Sequence, residues 1–265
     1  MKHPSLLFIS LCLLAGCSSV PPCETPRDIQ PVVSQLNLSM LDNVPIANQQ
    51  REERALRLFE AVGCDHLERQ FVSERFGYNL ICEINGRLES HILVGAHHDK
   101  YGVSNGIADN WTGVVSVVSL AHFFSLNSPK HTMRFVLFAG EEKNLQGARF
   151  YVEQAVPPAK MINLDTLGTA PLKVDSKSAR DLQCIARGAA ASQGMTLQEA
   201  YLRDITGDWQ PFRRKDIPVL AFHALNEALL VSLHGPADNR ELVDDDLLQE
   251  AYVTILNTVI EIDRL

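Results

Sequence analysis

Histidine and carboxylate side chains follow several of the apolar runs in this chain of 265 residues. The runs have the composition of buried strands, and open α/β sheets usually build their sites at the carboxyl ends of such strands. The residues in these places are His97, His98 and Asp99 after residues 90–95, Glu141 and Glu142 after residues 133–138, and Asp165 after residues 161–164. Asp109, in a polar turn that opens an apolar helical run, and the late His234 complete the set. We therefore expect a polar site at one edge of a sheet.

These residue types favour a metal ion. A histidine can bind a metal through one ring nitrogen while a nearby carboxylate accepts the other N–H, which is the arrangement expected for His97 and Asp99. The adjacent acids Glu141 and Glu142 repel each other and lose hydration at a partly buried strand end, so they require a cation or solvent. Two histidines and several carboxylates, with few thiolates, suit Zn²⁺ and tolerate Mn²⁺ or Co²⁺. Asp109 or Asn110, taken alone, would be interpreted as a helix N-cap.

Strand-like and helix-like runs alternate along the chain. Strands are predicted at residues 79–84, 90–95, 133–138, 161–164 and 217–222, and helices at residues 51–62, 114–124, 147–156, 181–193 and 245–262. The turn at Asn85 and Gly86 predicts a hairpin between the first two strands. The alternation favours an α/β fold, a single domain with a largely parallel, mixed central sheet flanked by helices on both faces.

The composition excludes several classes of protein. Hydrophobic residues make up 46% of the chain, which is too much for a disordered protein, and 15 glycines with 13 prolines show no collagen-like bias. The formal net charge is -8, and no cluster of lysine and arginine is present. Because phosphate binding needs a basic surface, nucleic acid is not expected as a partner.

The N-terminus resembles the signal of an exported bacterial lipoprotein. Residues 6–14 are an almost wholly apolar run, too short to span a bilayer, and the sequence LAGC that ends at Cys17 resembles a lipobox. The expected organisation is a signal peptide at residues 1–16, a tether at residues 17–35 and a catalytic domain at residues 36–265. Cys17 would attach the protein to a membrane through its lipid, and Ser18 favours the outer membrane, on the periplasmic side of the cell envelope. An ordinary secretory signal with an incidental cysteine is the alternative.

Four cysteines lie beyond this signal and the lipid site, namely Cys23, Cys64, Cys82 and Cys184. Export permits disulfides, and the chain has no CxxC or other metal-type spacing. Cys64 and Cys82 could form a pair, and buried free thiols are the alternative.

Taken together, these motifs resemble the co-catalytic, dinuclear zinc aminopeptidase family, which also includes glutaminyl cyclases. The resemblance extends from about Glu53 to the C-terminus, and its carriers are residues 94–99, 108–113, 138–142, 145–148, 163–165, 208–212 and 234–238. It implies a zinc exopeptidase-like fold, two bound Zn²⁺ ions, and peptide substrates from which single N-terminal residues are removed.

The resemblance also implies which residues bind the two metals. Asp109 would bridge the ions, His97 and Asp165 would complete one site, and Glu142 and His234 would complete the other, with a shared water between the ions.

The same resemblance leaves Glu141 free to act as the general base. Glu141 would take a proton from the attacking water and deliver it to the leaving amine. Asp99 would orient His97, and Asp238 is a weaker candidate for supporting His234.

Other polar residues are expected to be structural or to shape the pocket. The histidines in this group are His98 and His223, expected in structural or pocket-lining positions, and His122 and His131, expected on the surface of helices or loops. Asp208 and Trp209 depart from the Asp-His pair that is common in the family, so the pocket wall is expected to differ there, with Trp209 as a candidate aromatic surface.

A glutaminyl cyclase with a single zinc ion, which forms N-terminal pyroglutamate by acyl transfer, is the alternative function. Residues 212–220, residues 238–239 and residues 164–168 are similar to the cyclase pattern. Asp109 and Asn110 followed by Gly113 are typical of the peptidase form, and we therefore expect a peptidase. The complete ligand set and Glu141 argue against a binding module without catalysis.

Overall fold

An eight-stranded mixed sheet runs through the centre of the molecule. The computed structural model describes residue 23, residues 29–201 and residues 206–265. The strands are β1 (His66–Ser73), β2 (Gly77–Ile84), β3 (Leu88–His97), β4 (His131–Phe138), β5 (Lys160–Asp165), β6 (Lys173–Asp175), β7 (Gln198–Ala200) and β8 (Val219–His223). The α-helices are α1 (Asn48–Val62), α2 (Thr112–Leu126), α3 (Gln146–Gln154), α4 (Arg180–Ala191), α5 (Trp209–Arg213), α6 (Glu227–Leu233) and α7 (Asp245–Arg264).

The strands follow the order β1-β2-β4-β3-β5-β8-β6-β7 across the sheet. β3 pairs in parallel with β4 on one side and with β5 on the other, and β5 pairs in parallel with β8. β6 and β7 are also parallel, whereas the pairs β1 with β2, β2 with β4 and β6 with β8 are antiparallel. The predicted α/β fold with a largely parallel, mixed sheet is confirmed.

The predicted hairpin between β2 and β3 is wrong, because β4 lies between these two strands in the sheet. Asn85 and Gly86 do reverse the chain, but they carry it past the start of β4. A Cβ atom on Gly86 would lie 2.2 Å from the carbonyl carbon of His131, so only glycine fits this crossing. β3 is buried from His91 onwards, and a strand buried on both faces gains most from a parallel neighbour on each side.

Helices cover both faces of the sheet, as predicted. Neighbouring residues of β3 show the two layers: Val94 belongs to a core that includes α1, α2, α4 and α7, whereas Leu93 belongs to a smaller core with α3 and α5. With both faces covered, only the ends of the central strands are open to solvent. The polar residues that follow the strands gather at one of these ends.

The end of the predicted tether and the first residue of the predicted catalytic domain pack against the C-terminal helix. The backbone N–H of Val32 donates to Asn257 Oδ1 at 2.7 Å, and that of Leu36 donates to Gln249 Oε1 at 2.8 Å. Cys17 and the predicted signal peptide lie outside the described residues. Within residues 29–201 and 206–265, no helix combines the length and the apolar character that crossing a membrane requires.

Two disulfides join distant parts of the chain. Cys64 is bonded to Cys82, which links the residue after α1 to β2 and resolves the alternative left open above. Cys23 is bonded to Cys184 in α4, across 161 residues of sequence. No spacing rule identifies this second pair, because its two partners are distant in the sequence and meet only in the folded protein.

Candidate metal centre

The residues predicted to bind metal come from five segments that meet at the carboxyl edge of the sheet. They are His97 at the end of β3, Asp109 in the kinked turn before α2, Glu142 after β4, Asp165 at the end of β5 and His234 directly after α6. Gly140 turns the chain from β4 toward the site with a φ of 67°. A Cβ atom there would lie 2.7 Å from the ring of Phe76, so the turn depends on glycine.

Two clusters of ligand atoms share one carboxylate. His97 Nε2 lies 3.1 Å from Asp109 Oδ1 and 3.7 Å from Asp165 Oδ1. His234 Nε2 lies 3.7 Å from the other oxygen of Asp109 and 3.6 Å from Glu142 Oε2. Within each group of three, one ligand atom per residue lies within 4.8 Å of the others. Asp109 therefore presents one oxygen to each cluster, in the arrangement expected of a bridging ligand.

The electrostatics of the clusters fit a bound cation. Burial and the neighbouring carboxylate of Asp109 raise the pKa of Glu142 to about 8. Burial also raises the pKa of Glu141 well above its usual range. In the described part of the chain, the buried Glu142 Oε1 has no hydrogen-bond partner. Imidazole nitrogens and carboxylate oxygens are ligands that Zn²⁺ prefers, so the residues present fit this metal.

Asp99 ties one ligand to the segment that carries the two glutamates. His97 Nδ1 lies 3.2 Å from the backbone oxygen of Asp99 and 3.5 Å from its Oδ1. The backbone N–H groups of Glu141 and Glu142 donate to the Asp99 carboxylate at 3.0 and 3.3 Å. Burial opposes ionisation of Asp99, but the contact with His97 outweighs it and lowers the pKa of this carboxyl. The predicted contact between Asp99 and His97 is present.

The proton affinity of His97 reflects the carboxylates around it. Burial by itself would lower the pKa of this ring, yet hydrogen bonds to Asp109, Asp165 and Asp99 raise it well above its usual range. In the absence of a metal, a proton on His97 balances part of the negative charge. A cation bound by the same carboxylates would take over this role.

Asn110 fixes the turn that presents Asp109. Its side-chain nitrogen donates to Leu164 O at 2.9 Å, and its Oδ1 accepts from the backbone N–H groups of Gly113 and Thr166 at 3.0 and 3.1 Å. The peptide bond between Asp109 and Asn110 is cis. The Asn110 side chain therefore forms hydrogen bonds with backbone groups of both the first turn of α2 and the end of β5. The Asp109 carboxylate takes no part in these bonds and faces His97 and His234.

The prediction that Asp238 supports His234 is wrong. Asp238 is fully buried, and its two oxygens accept from Ser104 Oγ at 2.8 Å and from the backbone N–H of Ala108 at 2.7 Å. Both donors belong to the loop that precedes Asp109. Asp238 therefore holds the loop that leads to Asp109, and its two oxygens are already used there.

A cavity of about 310 Å³ lies over the two clusters. The ligand residues and Glu141 form its polar floor, and leucine side chains form much of its wall; these are Leu145, Leu225, Leu230 and Leu233. Trp209 lies outside this lining and packs into the smaller core with α3 and α5, next to Asp208. Asp208 is buried, and neither of its oxygens has a hydrogen-bond partner among the described residues.

A sequence model of peptidase family M28 matches residues 79–259, which is more than half of the chain and includes every residue of the two clusters. The chain belongs to peptidase family M28.

Relatives of this M28 chain are described as proteases or aminopeptidases. A protein of Pyrenophora tritici-repentis described as a probable zinc metalloprotease is 30% identical over 132 residues, covering 45% of this chain and 30% of the relative. An aminopeptidase of Pseudomonas aeruginosa is 30% identical over 98 residues, covering 35% of this chain and 18% of the relative. The M28 chain thus spans less than a third of the length of these relatives.

Solved structures share the fold of the M28 chain. A Zn-dependent exopeptidase from Parabacteroides distasonis superposes with a TM-score of 0.71 at 17% identity, covering 86% of this chain and 99% of that chain. The glutaminyl cyclase of Tannerella forsythia superposes with a TM-score of 0.67 at 17% identity, covering 84% of this chain and 94% of that chain.

The four other histidines for which a position was predicted lie outside the clusters, as expected. His98 is buried with Nε2 3.1 Å from Tyr78 O, and His223 Nδ1 accepts from the backbone N–H of Leu225 at 3.1 Å. His122 is exposed on α2. The expectation of a surface position for His131 is wrong, because this residue begins β4 and packs against Asp263, with 11% of its side chain exposed.

Arg51 is a residue of this M28 site that the sequence reasoning missed. Its fully buried guanidinium donates from Nε to His98 O at 2.7 Å and from one terminal nitrogen to Gly106 O at 2.9 Å. It thereby links the loop after His97 to the loop before Asp109. A signal was present, because Arg51 lies on the same helical face as Ala55 and the other buried residues of α1.

Proposed function

We propose that this chain is a zinc-dependent aminopeptidase that uses two Zn²⁺ ions to hydrolyse N-terminal residues from peptides. The observation that carries the proposal is the position of Asp109, which offers one oxygen to the His97 and Asp165 cluster and the other to the Glu142 and His234 cluster. Zinc at such a site would polarise the scissile carbonyl and lower the pKa of a water molecule that attacks it.

Glu141 is the proposed general base. It lines the cavity beside the ligands but belongs to neither cluster, so its carboxylate is free to handle a proton. Glu141 would remove a proton from the attacking water and transfer it to the leaving amine nitrogen. The bond from its backbone N–H to Asp99 Oδ1 holds the residue in place during both transfers. Its raised pKa moves the carboxyl toward the range in which a base can later act as an acid.

The cavity supports peptide ends as substrates. Its acidic floor would attract the free α-amine of an N-terminal residue, and its leucine wall offers apolar surface to the side chain of that residue.

A glutaminyl cyclase remains the second candidate, supported by the similarity of residues 164–168 to the cyclase pattern and by the shared fold. The shared carboxylate of Asp109, and the Asn110 contacts that orient it, favour the peptidase. Incubation of the purified domain with peptides that begin with Leu, Ala or Gln distinguishes the two. The peptidase releases free amino acid from all three, whereas a cyclase converts only the Gln peptide, to pyroglutamate without hydrolysis. The second result would overturn the proposal.

We also propose that the protein is an exported lipoprotein, attached through Cys17 to the periplasmic side of the cell envelope and most favourably to the outer membrane because Ser18 follows. The disulfides Cys23–Cys184 and Cys64–Cys82 support export, since disulfides persist in oxidising compartments.

Cell fractionation tests the lipid anchor. Cys17→Ser is expected to move the protein from the membrane fraction to the soluble fraction, because the acyl chains provide the attachment. Cys12→Ser, a change within the predicted signal peptide, is the matched control and should leave the protein in the membrane fraction. Membrane association that persists in Cys17→Ser would contradict the proposal.

A further inference from the structure

The two histidines of the candidate metal centre are held in different ways. His97 is 2% exposed, and its Nδ1 lies against Asp99. The side chain of His234 is 53% exposed, and among the described residues its Nδ1 has no protein hydrogen-bond partner. A metal-binding histidine usually has its second nitrogen fixed by a hydrogen bond, which sets the direction of the first. The orientation of His234 therefore needs another explanation.

The ring of Tyr101 lies flat against the ring of His234. The two ring centroids are 4.2 Å apart, and the planes differ by 12°. This is close stacked contact between aromatic rings, and it restricts rotation of the imidazole about its own side-chain bonds. With the ring fixed in this plane, Nε2 faces Asp109 and Glu142.

Tyr101 can act in this way because its loop is anchored on several sides. Lys100 Nζ donates to Gly102 O at 2.6 Å, and Ser104 Oγ donates to Asp238 Oδ2 at 2.8 Å. The side-chain nitrogen of Asn105 donates to Pro236 O at 3.3 Å. The last two bonds tie the loop of Tyr101 to the segment that starts at His234. The two stacked rings therefore belong to one connected unit.

We propose that Tyr101 is a positioning residue for His234, which aims the imidazole at the metal cluster by ring stacking as Asp99 aims His97 by polar contact. The inference rests on the proposed two-metal function. It predicts that loss of the Tyr101 ring weakens metal binding by the cluster of Glu142 and His234 and leaves the cluster of His97 and Asp165 unchanged. Ring stacking does not use the phenolic oxygen, so phenylalanine at position 101 should position His234 as tyrosine does.

Zinc affinity measured by competition with a chelator tests the proposal in backgrounds with one cluster each. In Asp165→Asn, the cluster of Glu142 and His234 remains, and adding Tyr101→Leu should weaken Zn²⁺ binding about 10-fold, the lower end of what loss of an orienting contact costs. With Tyr101→Phe in place of Tyr101→Leu, the Zn²⁺ affinity should equal that of Asp165→Asn alone. In Glu142→Gln, the other cluster remains, and Tyr101→Leu should change nothing. Equal weakening in both backgrounds, or none in either, would overturn the proposal.

Two further measurements keep the test independent of activity and of folding. Phe71→Leu removes an exposed ring from β1, away from the clusters, and serves as the control for loss of an aromatic side chain. In the metal-free protein, the imidazole C–H signals of His234 should be shifted upfield by the stacked ring in NMR spectra. They should move downfield in Tyr101→Leu and return in Tyr101→Phe.

The NMR result separates this proposal from the proposed function. If wild-type protein binds a single Zn²⁺ ion, the two-metal function fails, and the ring signals still decide whether Tyr101 orients His234. If wild-type protein binds two ions and Tyr101→Leu binds both with unchanged affinity, the positioning role fails and the two-metal function stands. Unchanged His234 signals in Tyr101→Leu would overturn the positioning role in either case.

Discussion

At the scale of single residues, Glu141 and Glu142 differ clearly in their positions relative to the two clusters. The two side chains are neighbours in sequence, yet only Glu142 joins a ligand cluster. The Asp99 carboxylate accepts a hydrogen bond from the backbone N–H of each glutamate. These two bonds fix the turn from which the two side chains point in different directions. This arrangement fits the proposed roles, in which Glu142 binds a cation and Glu141 moves a proton.

Substitution of Glu141 by glutamine tests these roles. Glutamine cannot accept the proton, so we expect kcat to fall about 10²- to 10⁴-fold while zinc content is unchanged. Peptide hydrolysis and elemental analysis measure the two quantities. Glu153→Gln, an exposed change on α3, is the matched control and should leave both as in wild type. An unchanged kcat in Glu141→Gln would contradict the general-base role.

Part of the candidate site could be predicted from the cost of burying its charges, whereas the division of its residues between two metals comes from the family resemblance. Carboxylates at the end of an apolar strand, such as Asp165 after β5, are unfavourable unless something compensates them, so their presence indicates a site. The role of Asp238 could not be predicted, since it depends on contacts with Ser104 and Ala108, which are about 130 residues away. No local pattern encodes which loop a buried carboxylate will bind.

At the scale of elements, α1 carries two arginines that bind different parts of the molecule, and only one of them contacts the site. Arg51 binds the carbonyls of His98 and Gly106, beside the ligands. Arg54 binds the carbonyls of Met40 and Asp42, in the N-terminal segment. Both guanidinium groups lie over the ring of Trp111. Burial lowers the pKa of Arg51 to about 10, which still leaves it charged at neutral pH.

Replacement of each arginine by methionine separates these functions. Arg51→Met leaves buried carbonyls without donors and releases two loops of the site, so we expect a loss of about 2–4 kcal/mol in the free energy of unfolding and about 10-fold weaker zinc binding. Arg54→Met should lower stability without changing zinc affinity. Urea unfolding and chelator competition measure the two effects. Equal zinc affinities in the two variants would contradict the assignment.

Most of the longer elements follow from the hydrophobic pattern, but β1, β6, β7, α5 and α6 were not predicted, and neither was the pairing of the strands. Each predicted strand and helix has a counterpart in the structure, within a few residues. The predicted hairpin at Asn85 and Gly86 is wrong because a turn sequence shows only that the chain reverses. It does not show whether another strand will pair between the two strands that the turn connects. β4, which does insert, begins more than 40 residues later.

At the scale of the whole molecule, the charges of the candidate metal-binding residues make the free energy of unfolding of the metal-free protein depend on pH. The pKa of Glu142 is about 8 in the folded protein and 4.5 in an unfolded chain, so the folded state favours the protonated carboxyl. The raised pKa of His97 acts in the same sense, since its favourable contacts require the proton. Both contributions are lost as pH rises through these pKa values.

Thermal unfolding of the metal-free protein should therefore show a Tm that falls between pH 4.5 and about 8. Bound zinc should reverse this trend, because its ligands must be deprotonated and its affinity therefore rises with pH. Calorimetry with and without Zn²⁺ at several pH values measures both curves. A metal-free protein whose Tm rises steadily over this range would contradict the electrostatic account of the site.

The sharing of Asp109 between two clusters is the central claim, and the number of zinc ions that activity requires tests it most directly. Metal-free protein would be titrated with Zn²⁺ while release of free leucine from a leucyl peptide is followed, and bound zinc would be determined by elemental analysis. The account predicts two ions per chain at saturation and full hydrolysis only with both. Saturation at one ion per chain, with pyroglutamate formed from a glutaminyl peptide and no leucine released, would contradict it.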